Sequence, residues 1–153
     1  MKIERGIRIT VVTVNLFAAL SAFAGALGLV VGYMNIPLSV LSTTPFADFT
    51  IPALLLGFVV GGSALAAALI ALFGPRFSVF GAWRFDALAA WIAGCIMVGW
   101  MLIEIAMIGM AIWVQTLYLV VGLVMMGLAI WLQWAEWRPQ ARTSSGAGHH
   151  RLA

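Results

Sequence analysis

The chain has 153 residues, of which 64% are apolar and 8% charged, and its eight lysines and arginines against five acids give a formal net charge of +3. Soluble proteins carry about 25% charged residues, and a domain this small leaves much of its surface exposed. A water-soluble globule is therefore excluded, and lipid is the expected solvent for most side chains.

Lys2, Arg5 and Arg8 open the chain and precede an apolar run over residues 9–34. Basic residues ahead of an apolar run also mark a secretory signal, but the apolar core of a signal is only about 7–15 residues long. The run reads instead as a retained first membrane span. Residues 35–50 follow, with Asp48 as their one charge, and are too apolar for a freely solvated loop. This connection is expected to lie in the membrane interface or to fold over the bundle. Thr44 before Pro45 reads as a helix start, because threonine caps and proline tolerates the first turn. Asp48 then falls near a helix N-terminus, where the dipole favours negative charge. Pro52 falls in the first turn or kinks the span.

The second apolar stretch covers residues 51–73, and the third and fourth cover 87–109 and 112–134. A helix needs about 20 apolar residues, at a rise of about 1.5 Å each, to cross a hydrocarbon core of about 30 Å. Each stretch meets that length. Between residues 87 and 134 only Glu104 is charged. One helix of that extent would reach about 70 Å, so the chain must reverse, and Gly109 to Trp113 is the expected turn. Trp113 at that depth suits the aromatic belt of a membrane interface. A transmembrane barrel is excluded because its strands alternate apolar and polar residues, whereas these stretches are continuously apolar. Residues 135–153, with Pro139, Thr143 and the pair His149–His150, are too polar and short to build a core; they read as a disordered tail, without the further ligands a metal site would need.

The expected architecture is an all-α membrane protein, a bundle of four transmembrane helices over residues 1–134. With four spans, all eight basic residues fall on the side that holds both termini and the second connection. Basic residues near span ends favour the cytoplasmic face, so both termini are expected to be cytoplasmic. The positive balance is explained by topology and attraction to anionic lipid, and nucleic acid is not an expected partner. The single cysteine, Cys95, permits no intramolecular disulfide and reads as a packing residue. Small residues four apart, Ser21/Gly25 and Gly28/Gly32, Gly57/Gly61, Ala90/Gly94 and Cys95/Gly99, allow close helix approach. They serve packing within the bundle or homo-oligomerisation.

Glu104 is the one formal charge inside an expected span, and a carboxylate in hydrocarbon marks a function or a specific partner. Counted from a turn centred near Ala111, Glu104 and Tyr118 lie at similar depth, about 10 Å below the turn. Tyr118 is thus a candidate hydrogen-bond donor to Glu104, and Gln115, about one helical turn nearer the surface, is a second. A neutral, hydrogen-bonded carboxyl that fixes helix register is the leading expectation. Asn15, Thr10, Thr13 and Ser21 in the first span would make only a thin proton relay. Histidine is absent from every span, so a bis-histidine haem is not expected. Glycine-rich phosphate loops and nucleophile–base–orienter triads are not recognisable either. No catalytic residue, cofactor or metal is therefore assigned. Glu104, Tyr118, Gln115 and Asp48 form the candidate polar site, Asp48 and Glu104 being able to approach at the outer face.

The segment Pro45-Phe46-Ala47-Asp48-Phe49-Thr50-Ile51-Pro52, followed by Trp100, Glu104 and Trp113-Val114-Gln115-Thr116-Leu117-Tyr118, resembles a group of small, uncharacterised bacterial inner-membrane proteins with four predicted helices. In that group a Pro-Phe-x-Asp-aromatic-x-Ile-Pro-Gly segment opens the second helix and a Trp-Leu-Gln-x-x-Tyr segment opens the fourth. Ala53 stands where the group often has glycine, and Val114 where it often has leucine. The resemblance covers residues 44–132 and implies a bacterial inner-membrane protein, but carries no activity. The expected role is a non-enzymatic helical-bundle or interaction subunit. The alternatives are a transporter or channel-like protein that uses Glu104 as a protonatable site, and a quinone-linked or other membrane-enzyme accessory protein.

Overall fold

The computed structural model describes residues 2–32, 36–74, 77–79, 83–109 and 113–146. Four helices dominate: α1 (Lys2–Val31), α2 (Thr50–Phe73), α3 (Phe85–Ile108) and α4 (Trp113–Gly146). All four are long and apolar enough to cross a membrane, as the unbroken apolar runs require. Helix α1 packs on α2 and α4, and α3 packs on α2 and α4, so neighbours around the bundle are antiparallel. Short connections between apolar helices favour this up-down-up-down order.

The core is built from small side chains. Ala18, Ala19 and Ala22 of α1, Ala64 and Ala71 of α2, Ala90 and Ala93 of α3, and Ala129 of α4 are all buried in one cluster. Large apolar residues such as Leu20, Phe58, Phe73 and Leu123 point outward. Lipid does not penalise that exposure, and close backbone approach supplies the van der Waals contact that holds helices together there. The glycines mark where approach is closest. A Cβ on Gly61 would stand 3.2 Å from Phe23 of α1, and one on Gly94 would stand 2.7 Å from Met126 Cγ and 3.0 Å from the Gly122 carbonyl of α4. Gly57/Gly61 and Gly94 thus pack within the bundle, whereas a Cβ on Gly99 meets nothing within 4 Å.

Element ends depart from the sequence expectation in three places. Helix α1 already includes Arg5 and Arg8, because charged residues continue a helix beyond the hydrocarbon, and it stops at Val31 before Gly32 at φ 70°. Helix α2 begins at Thr50, not at Thr44. Thr44 instead ends a 3₁₀ turn, Leu38–Thr43, and its hydroxyl donates to the Leu41 carbonyl. Pro52 lies in the first turn of α2, and residues Leu55–Gly61 of that helix are π-helical. Finally, α4 runs past residue 134 to Gly146, so the first half of the expected tail is helix; residues 147–153, with His149 and His150, lie outside the described residues.

The turn between α3 and α4 falls where the sequence places it. Helix α3 ends at Ile108, and Gly109 follows at φ 77° with its N–H donating to the Ile105 carbonyl, 2.9 Å. At the other end a two-stranded hairpin, β1 (Ser78–Val79) and β2 (Trp83–Arg84), leads into α3. Phe77 stacks on Phe85 at 5.3 Å between ring centroids, which holds the hairpin against the start of that helix.

Candidate functional site

Two polar sites stand at opposite ends of the bundle. The first is the site built around Glu104. Glu104 lies four residues before the end of α3, about 6 Å along the helix axis, and is half-buried. Gln115 sits in the first turn of α4, 2% exposed, and its Nε2 donates to Glu104 Oε1 across the hairpin at 3.2 Å. A buried amide needs partners for its polar atoms, and the adjacent carboxyl supplies one.

Tyr118 is partly buried against the core, one turn farther along α4. Among the described residues no hydrogen bond joins Tyr118 or Asp48 to Glu104. Of the two expected donors, Gln115 is the one that reaches the carboxyl. Asp48 is exposed, and its Oδ1 accepts the N–H of Thr50 at 2.8 Å. It therefore secures the first residue of α2, the helix N-terminus expected for it. The connection before α2 also closes over this end: Leu41 is buried, and the Thr43 hydroxyl donates to the Met107 carbonyl at 2.7 Å.

The second site was not read from the sequence. Arg84, the residue before α3, is 6% exposed and Asp86, in the first turn, 2%. Arg84 Nε and Nη2 donate to Asp86 Oδ1 and Oδ2 at 2.9 and 2.7 Å, a bidentate pairing. Asp86 Oδ2 also accepts from Arg8 Nη2 of α1 at 3.1 Å, and Oδ1 from the Ala87 N–H at 2.9 Å. Arg84 Nη1 faces Glu4 Oε1 at 3.5 Å, and the Arg84 N–H donates to Gln133 Oε1 of α4 at 3.0 Å. Arg8, Arg84, Glu4 and Asp86 thus meet in one cluster that ties α1, the hairpin, α3 and α4. Asp86 also benefits from its place at the N-terminus of α3. The available signal was Glu4 and Asp86 themselves, acids at the mouths of two helices on the side crowded with arginine.

Three polar side chains of α1 donate to carbonyls of their own helix. Thr10 Oγ1 donates to the Gly6 carbonyl, Ser21 Oγ to that of Ala18, and Asn15 Nδ2 to that of Val11 at 2.8 Å. Asn15 is buried, and its Oδ1 has no partner among the described residues; the same holds for Trp100 Nε1. No family model matches the chain, and neither a curated protein nor a solved structure matches it.

Proposed function

We propose that this chain is a small non-enzymatic protein of a bacterial inner membrane, a helical-bundle scaffold or interaction subunit with both termini in the cytoplasm. The observation that carries the reading is the Glu104–Gln115 hydrogen bond across the α3–α4 hairpin. It gives Glu104, near the end of α3, a pairing role, since interhelical hydrogen bonds of this kind contribute about 0.6–2 kcal/mol and help set register. Thr10, Asn15 and Ser21 support it further, because each donates within α1 and not to a neighbouring helix. The orientation rests on the basic residues: Arg8 and Arg84 share one end through Asp86, and basic residues favour the cytoplasmic side.

The runner-up is a transporter or channel-like role with Glu104 as a protonatable group. Asn15 Oδ1 and Trp100 Nε1, buried and without a hydrogen-bond partner among the described residues, favour it, since buried polar atoms without partners recur at functional sites. Glu104→Gln separates the two. In liposomes under a pH gradient, the scaffold reading predicts unchanged proton flux with a measurable shift in unfolding temperature. Lost flux with intact folding would reject it.

A further inference from the structure

Beside the ion cluster, a cleft of ≈ 500 Å³ opens between the start of α1 and the end of α2. Its size falls within the range of about 300–1,000 Å³ usual for small-molecule sites. It follows α1 from Glu4 to Thr13, about 14 Å along the helix, and its lining changes along that length. Glu4, Arg5 and Arg8 line it at the start of α1, two cations against one anion, and Ile9, Val12 and Leu72 line it farther along. The cleft is thus cationic at the end of the bundle and apolar toward its middle.

The charge at the mouth is not neutralised from within. Glu4 and Arg8 are engaged in the cluster with Arg84 and Asp86. Arg5, in the lining of the cleft, is exposed and has no ion-pair partner among the described residues. An occupant must therefore bring an anionic group at one end and an apolar chain at the other, aligned with the helix axis. We infer that the cleft holds an anionic phospholipid, its phosphate on Arg5 with Arg8 beside it, and the start of one acyl chain along Ile9, Val12 and Leu72. A soluble phosphate would satisfy the arginines but leave the apolar walls uncovered. A zwitterionic lipid would fill the walls but bring a cation to the mouth. This site does not depend on the role proposed above for the bundle.

The test is lipid retention by the full chain, purified in detergent and titrated with phosphatidylglycerol or with phosphatidylcholine of the same acyl chains, and read by native mass spectrometry. Phosphatidylglycerol is expected to be retained in preference. Arg5→Gln, at an exposed position without an ion-pair partner among the described residues, is expected to weaken that retention about five-fold, the worth of one basic residue near an anionic surface. Thr13→Trp, also at an exposed position, fills the apolar part of the cleft without changing charge and is expected to weaken it as well. Inorganic phosphate at millimolar concentration is expected not to displace the lipid. Equal retention of the two lipids, or full retention by Arg5→Gln, overturns the proposal. So does full retention by Thr13→Trp, which would place the lipid outside the cleft, or displacement by phosphate, which would make this a free-anion site.

Discussion

At the end of the bundle that carries Arg8, four charges from α1 and the start of α3 close on one another, and the amide of Gln133 joins them from α4. At the opposite end a single carboxyl, Glu104, meets a single amide, Gln115, across one hairpin. Both sites connect helices, but they differ in burial and in what happens when one member is lost. Removing one partner of a buried ion group leaves an uncompensated charge, which is far more costly than losing one hydrogen bond in lipid. The bundle is therefore clamped at its charged end and only latched at the other. Asymmetry of this kind leaves the Glu104 end, with its 3₁₀ connection, as the more easily opened one.

The comparison breaks most readily at Asp86. Asp86→Asn removes the buried carboxylate that Arg8 and Arg84 share, and the expected loss is about 3–5 kcal/mol, read as a large fall in thermal unfolding temperature in detergent. Next comes the contact between α3 and α4. Gly94→Leu drives a side chain into Met126 and the Gly122 carbonyl, with an expected cost of about 1–3 kcal/mol by the same measurement. Gln115→Leu removes the latch and should cost no more than about 2 kcal/mol; a hydrogen-exchange increase confined to the ends of α3 and α4 would localise the effect. The smallest change is expected at Gly99, where an added methyl meets nothing. Gly99→Ala should shift stability by less than about 0.5 kcal/mol, and a larger loss together with a change in oligomeric mass would mark that face as a contact between copies.

The four spans were legible because unbroken apolar length is what a bilayer demands, and the α3–α4 turn because no helix of the joint length fits one. Counting residues from that turn also put Glu104 level with Tyr118, with Gln115 about one turn nearer the surface. It did not choose between Gln115 and Tyr118, since depth says nothing of azimuth, which packing sets. The start of α2 was misplaced for a related reason: Thr44 and Pro45 carry a helix-start signal, but the 3₁₀ turn before them uses the threonine hydroxyl and leaves Asp48 to hold Thr50. The ion cluster was hidden more deeply. It depends on a short hairpin that returns Arg84 to the bundle and on the side chains of Glu4 and Arg8, which lie about 80 residues away in the chain. The basic residues of that end were read for orientation alone, and their pairing with two nearby acids went unseen. The π-helical segment Leu55–Gly61 carries Gly57 and Gly61 against α1, and while the glycines announced close packing, nothing in their spacing announced the widened helix.

The contrast between clamp and latch reduces to one series: thermal unfolding of the wild-type chain, Asp86→Asn and Glu104→Gln in the same detergent. Each substitution removes a carboxylate while keeping its shape. Asp86→Asn is expected to lose far more stability than Glu104→Gln, about 3–5 against at most about 2 kcal/mol. Equal losses, or a larger one for Glu104→Gln, would contradict it.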